Sequence, residues 1–458
     1  MSQNVRKMDP KEKLDYLLNA PIPRLIRDMS VPTIISMLIT SFYNMVDTAF
    51  VGRIDTQATA AVGVSFSVMA LIQAVSFLFG HGSGNYISRQ LGAKEFDDAR
   101  RMAATGFLSV MGVGLIVAVL GAVFVKPISR VLGSTETILP YAVSYLRVIF
   151  IGCPFMMGSF VLNNHMRFQG NASISMYGIV VGAILNIALD PLLIFVFHMG
   201  VAGAALATII SQAVSFFILL YLDLRKAAIP VTLKFFTPTW HYYKSILNGG
   251  IPSLVRQGIG SVATIALNLA ARTYGAAAAD AAIAAMGVVT RITQFAYSAL
   301  IGFGQGFQPV CGTNYGAKNY GRVKEAFHYC VKIGSIALLG LSILGFIFAK
   351  PLVQIFRDDP QVIEIGYVAL RAQCVVFVLN VYVIMSTMLL QTIGKPVPAS
   401  IVAMARQGIF FIPAILLLPL AFGMFGVQSA QALADILSFF LAIPLCRKVL
   451  KEMGPLDQ

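Results

Sequence analysis

The chain of 458 residues is 57% apolar and only 12% charged, with a mean hydropathy of +0.77. A soluble protein of this length carries about twice that charged fraction, so a water-soluble globular enzyme or carrier is excluded. The net charge of +14 would suit a nucleic-acid binder, but the basic residues gather on alternate loops between apolar runs, and no nucleic-acid partner is expected.

The first thirty residues are polar and basic, without the charged start and apolar core of a cleaved signal peptide. Apolar segments long enough to span a bilayer follow near 29–51, 58–80, 102–125, 138–163, 172–197, 201–222, 246–271, 282–311, 328–349, 363–390, 397–423 and 426–446. The predicted fold is therefore an all-α integral membrane protein with twelve transmembrane helices. If the N-terminus is cytoplasmic, the inner segments receive Arg24, Arg27, Arg89, Lys94, Arg100, Arg101, Arg225, Lys226, Lys318, Arg322, Lys395 and Arg447. The outer loops hold little beyond Arg53, Lys126, Arg130, Arg272, Lys350 and Arg357. This bias predicts a multi-pass protein of the cell membrane with both termini in the cytoplasm. The five cysteines are scattered and show neither metal-ligand nor disulfide spacing.

The longest connection, Asp223 to Lys244, carries Pro230 and Pro238 and falls near the middle of the chain. It divides an N-terminal lobe (1–223) from a C-terminal lobe (246–458), with residues 224–245 as a cytoplasmic linker. Sliding the chain by 224 residues superposes Gly80-x-Gly82 on Gly304-x-Gly306, Gly92-Ala93-Lys94 on Gly316-Ala317-Lys318, and Gly170 on Gly394. One ungapped register over this distance predicts two pseudo-symmetric six-helix lobes around a central cleft, a design that works by alternating access. The glycine runs sit in apolar spans, not between strand and helix, so they point to close helix packing and not to a phosphate loop.

The fifth span breaks its apolar pattern at Asn186, Asp190 and Pro191. An ionisable group there costs a few kcal/mol, roughly 2.5 to 3.5 on insertion scales, unless it faces a bundle interior or a polar cavity. Asn186 and Asp190 are four apart and share a face, while Pro191 cannot bond the Ile187 carbonyl. At 1.5 Å per residue, Asp47 lies roughly 6 to 9 Å from the outer end of the first span, Asp190 roughly 12 Å from that of the fifth, and Thr208 roughly 10 Å into the sixth. Asp47, Asn186, Asp190 and Thr208 thus share a depth, and Asn44 adds an amide to the face of Asp47. Oxygen donors in this set suit a sodium ion or a proton relay. Arg147, near the outer end of the fourth span, is the cation that would turn Asp190 into a structural ion pair instead.

Asn44-Met45-Val46-Asp47-Thr48 followed by Val51-Gly52, together with Asn186-x-x-x-Asp190-Pro191 and the Gly-Ala-Lys repeat, resembles the multidrug and toxic compound extrusion (MATE) family over essentially the whole chain. That resemblance implies export of lipophilic, mostly cationic, drug-like compounds in exchange for sodium ions or protons. It implies no bound cofactor and a monomer, and it carries the family's cation site onto Asp47, Asn186, Asp190 and Thr208. The seventh span offers Arg256 and Gln257 where one branch of the family has a glutamate. The chain therefore resembles most the DinF-like and MepA-like branches, with coupling confined to the N-terminal lobe.

The C-terminal lobe buries Arg256, Arg291 and Arg406 against Asp435 alone. An internal ion pair is the expected role, since Arg256, Arg406 and Asp435 all fall near mid-membrane. An arginine left unpaired on the cavity wall would instead disfavour cationic substrates. The alternative function is a lipid-linked oligosaccharide flippase, whose buried arginines would hold a phosphate. An enzyme is not expected, because no Ser-His, His-Glu or Cys-His constellation falls at a common depth.

Overall fold

A computed structural model describes residues 10–54, 56–275 and 278–454. Among them the chain is helical throughout, with no strand. Lipid offers no partner to the backbone, so each apolar run closes its own hydrogen bonds as a helix. The first half contains α1 (Pro10–Asn19), α2 (Ile22–Val51), α3 (Thr56–Gly92), α4 (Phe96–Val123), α5 (Val125–Val131), α6 (Leu139–Phe168), α7 (Ala172–Pro191), which runs into a π turn (Leu192–Val196), and α8 (Gly200–Lys226). The second contains α9 (Trp240–Tyr274), α10 (Ala279–Gly316), α11 (Tyr320–Ile347), α12 (Ala349–Phe356), α13 (Pro360–Val376), α14 (Leu379–Thr392), α15 (Pro396–Met404), a π turn (Ala405–Ile409), α16 (Phe411–Phe422) and α17 (Met424–Glu452).

Among the described residues nine helices are long and apolar enough to cross a membrane, and α13 with α14, bent by 59°, makes a tenth. Helices α10 and α17, of 38 and 29 residues, also have the length. Each predicted apolar segment corresponds to one helix or one bent pair. Several helices run further than hydropathy indicates: α3 continues to Gly92, well past residue 80. Its last turns carry Asn85, Ser88 and Arg89, polar to a hydropathy scale yet packed between helices.

The repeat is visible in the backbone. Helices α4 and α11 start and stop at positions 224 apart, and so do the starts of α5 and α12. Lys94 and Lys318, at equivalent turns, adopt left-handed φ angles of 63° and 62°. In each turn the amide one residue later closes the helix end, Glu95 onto the Gln90 carbonyl (2.9 Å) and Asn319 onto that of Asn314 (2.8 Å).

The two halves of the chain meet mainly where α2 packs on α10 and α3 packs on α9. The paired glycines lie in these seams. A Cβ on Gly249 would stand 3.0 Å from the Gly82 Cα, and one on Gly302 would stand 2.7 Å from the Ile34 Cα. Gly92 and Gly316 press on the backbones of Thr313 and Arg89 in the same way. The Gly92 and Gly316 contacts fall at the end of the bundle where α1 lies, where Asn314 donates to the Leu17 carbonyl (3.0 Å), and the Gly82, Gly249 and Gly302 contacts continue the seams further in. The glycines therefore let helix backbones touch.

Candidate functional site

The predicted acids come together. Helix α7 packs against α2 and α8, and the rings of Phe50 and Phe195 meet edge to face at 6.4 Å, which fixes the outer ends of α2 and the α7 π turn at one level. Asp190 is fully buried and Asn186 and Thr208 nearly so, while Asp47 is half-buried. The Asp47 and Asp190 carboxyls lie within electrostatic reach of each other. Two carboxylates at that separation repel unless a proton or metal cation lies between them.

Their remaining capacity is free. Both Asp190 oxygens, Asp47 Oδ1, and Asn186 Oδ1 and Nδ2 are buried without a hydrogen-bond partner. Thr208 donates its hydroxyl proton to the Ala204 carbonyl (3.1 Å), which leaves its oxygen free to accept, and it shares the cavity wall with Asn186. Pro191 denies the Ile187 carbonyl its usual donor, and the next amide, Leu192, bonds Leu189 instead. The chain does not break there. It continues through Pro191 and widens into the π turn, a distortion that often accompanies a functional site.

Arg147 is exposed, and with both Asp190 oxygens unpartnered it forms no ion pair with that residue. Asn44 is also exposed and stands apart from the buried cluster. Two tyrosines that the sequence reading did not select, Tyr43 and Tyr145, lie within electrostatic reach of both acids. Tyr43 precedes Asp47 by one helical turn, so the i, i+4 spacing was a usable signal. Tyr145 comes from α6, and nothing local marks it. Ser211, three residues after Thr208, is likewise buried with an unpartnered hydroxyl.

A mostly apolar cavity of about 100 Å³ touches this cluster at Asn186 and Thr208 and carries several polar side chains on its wall. Asn186, Thr208, Ser211 and Tyr43 line its outer part, and Asn163, Asn164 and Gln305 line the inner part. Beyond it sits Arg167, 1% exposed, in the last turn of α6 past the apolar run 138–163. Arg167 donates to the Gln305 carbonyl (2.9 Å), Gln308 Oε1 (3.2 Å) and Asn164 Oδ1 (2.5 Å), and its guanidinium stacks on Phe168 at 4.6 Å. It thereby ties α6 to α10 across the seam.

In the second half of the chain, Arg406 and Asp435 form the expected ion pair at 2.9 Å. Asn380 and Gln431 also donate to Asp435, at 2.7 and 2.8 Å, and Arg406 stacks on Tyr297 at 4.4 Å. The ion-pair expectation holds for Arg406 and not for Arg256, which is half-buried with no carboxylate within 4 Å among the described residues, while Asp435 accepts from Arg406, Asn380 and Gln431. Arg291 does not join this group and is exposed.

The family model MatE matches residues 32–192 and 252–417. The multidrug export protein MepA of Staphylococcus haemolyticus is 30% identical over 434 residues, 94% of this chain and 95% of the relative. A solved outward-facing multidrug resistance MATE family transporter of the MOP superfamily superposes with a TM-score of 0.89 at 25% identity, over 98% of each chain. A MOP superfamily transporter from Pyrococcus furiosus, described as having a binding pocket of reverse polarity, superposes with a TM-score of 0.90 at 26% identity, over 97% of this chain and 99% of that one.

Proposed function

The chain belongs to the MatE family of multidrug export transporters, and from that premise we propose that it is a cation-coupled antiporter that exports lipophilic compounds by alternating access. Its twelve crossings form two six-helix lobes joined by the 224–245 linker. Both termini lie in the cytoplasm, the protein resides in the cell membrane, and it works as a monomer. The observation that carries the reading is the cluster of buried, unpartnered oxygens of Asp47, Asn186 and Asp190, with Thr208 beside them.

Such a cluster is costly without a cation and favourable with one. In the sealed-inside state a sodium ion or a proton enters from the outer end and neutralises the pair. Neutralisation removes the repulsion between α2 and α7 and biases the lobes, which lowers affinity for the exported compound. Sodium would gather five or more oxygens at roughly 2.4 Å, whereas proton coupling needs only the two carboxyls. The Arg406–Asp435 pair is structural here and takes no part in coupling.

Efflux of a fluorescent dye from vesicles, measured with sodium and proton gradients imposed separately, tests the proposal. One of the two gradients should drive efflux, and Asp190→Asn should abolish it at unchanged protein level. Efflux that persists in this variant would sink the coupling site. Translocation of a lipid-linked sugar in the same vesicles, independent of both gradients, would favour a flippase instead.

A further inference from the structure

Arg256 is the charged group for which coupling and packing leave no task. It sits on α9 next to Gln257, which donates to Gln73 (3.4 Å), and Gln73 lies on the cavity wall. The ionisable groups within electrostatic reach of Arg256 are His81 of α3 and Tyr297 of α10. His81 is itself within reach of Arg167 and bonds Ser253 through Nδ1 (2.7 Å), while its Nε2 is buried without a partner. Phe77, also on the cavity wall, packs its ring on His81 at 4.9 Å and on Phe160 at 5.4 Å.

These positions sort the charge along the interior. The carboxylates lie toward the outer end, where the coupling cation neutralises them. Arg406 is neutralised by Asp435. What remains where α3, α9 and α10 meet is the half-buried guanidinium of Arg256, with no carboxylate within 4 Å among the described residues, in electrostatic reach of His81, whose neighbour Phe77 lies on the cavity wall. A guanidinium half out of water without a counter-ion is a receptor for a carboxylate, phosphate or sulfonate, which it binds by charge-assisted hydrogen bonds.

We propose that this transporter carries substrates with an anionic group on an aromatic or apolar body, and that Arg256 binds that group. The proposal rests on the exporter reading and departs from the mostly cationic cargo that family resemblance implies. Binding of carboxyfluorescein and of ethidium to the full chain in lipid nanodiscs, followed by fluorescence anisotropy, tests the site. The wild type should bind carboxyfluorescein more tightly than ethidium. Arg256→Gln should weaken the anion about tenfold or more and leave ethidium unchanged or tighter, while Arg256→Lys keeps most of the anion affinity. Equal carboxyfluorescein binding by wild type and Arg256→Gln would overturn the proposal. A wild type that prefers ethidium would overturn it too, with no variant needed. Uptake of the same dyes by vesicles under cation gradients separates the two readings. Carboxyfluorescein bound through Arg256 but unmoved by a gradient that moves ethidium would overturn transport of the anion and leave the exporter reading intact, whereas neither dye moving under any gradient would overturn the exporter reading.

Discussion

Asp190→Asn should make the protein more stable while it destroys coupling. Asp190 is fully buried, and neither carboxylate oxygen has a hydrogen-bond partner. Its closest charged neighbour is a second carboxyl, Asp47. An unpaired acid in the core of a membrane helix costs about 2.5 to 3.5 kcal/mol. The amide has the same shape and no charge, so the variant should recover roughly 2 kcal/mol of that penalty in buffer free of sodium. The wild type regains it only by binding its cation, which at a hundredfold excess over Kd contributes about 2.7 kcal/mol. Thermal unfolding followed by thiol-reactive dye or by light scattering, with and without sodium and at two pH values, separates these terms. In sodium-free buffer the variant should melt a few degrees above the wild type, and its midpoint should not respond to the cation. A variant that melts lower, or that keeps the cation response of the wild type, refutes the reasoning, because Asp190 would then have a partner that stabilises its charge.

The Arg406–Asp435 pair should behave in the opposite way. Asp435→Ala or Arg406→Ala alone should cost about 3 to 5 kcal/mol by stranding the other charge, while Arg406→Met with Asp435→Leu should lose much less, as a double-mutant cycle in thermal unfolding will read. Gly302→Ala places a methyl 2.7 Å from the Ile34 Cα, so α2 and α10 must part by several tenths of an ångström. That separation forfeits packing along the seam. It should shift the protein toward the state open at the terminal end, visible as faster thiol labelling of a cysteine introduced at buried Ser253. Arg167→Met removes three hydrogen bonds that tie α6 to α10 and α6 to itself. It should raise amide exchange in the last turns of both helices, while exchange in the outer turns of α8 stays as in the wild type.

The spans were legible because membrane insertion depends on local hydropathy, and the buried polar cluster because depth follows from counting residues at 1.5 Å along helices that all start from the same two surfaces. Asp47, Asn186, Asp190 and Thr208 come from three helices, yet one ruler placed them together. Asn44 is exposed where the others are buried, since spacing gives a helix face but not what covers it. Arg256 was misjudged for a related reason. Its depth matched Asp435, but depth cannot say which of two arginines a single acid will choose, and the choice went to Arg406 on the neighbouring π turn.

By itself the sequence determined the apolar, all-helical class, the internal repeat and the Asn186, Asp190 and Pro191 break in the fifth apolar segment. Each is a property of residues near one another in the chain or at a fixed period. Only the tertiary structure decided that the glycines bring the helix backbones of the two halves into contact, that Arg167 bridges residues 138 positions away, and that Arg256 has no carboxylate within 4 Å among the described residues. Those outcomes depend on which side chains reach a given carbonyl or carboxylate first once helices pack. That competition is settled by distances of a few ångströms between segments remote in the chain, which no pattern of residue types records.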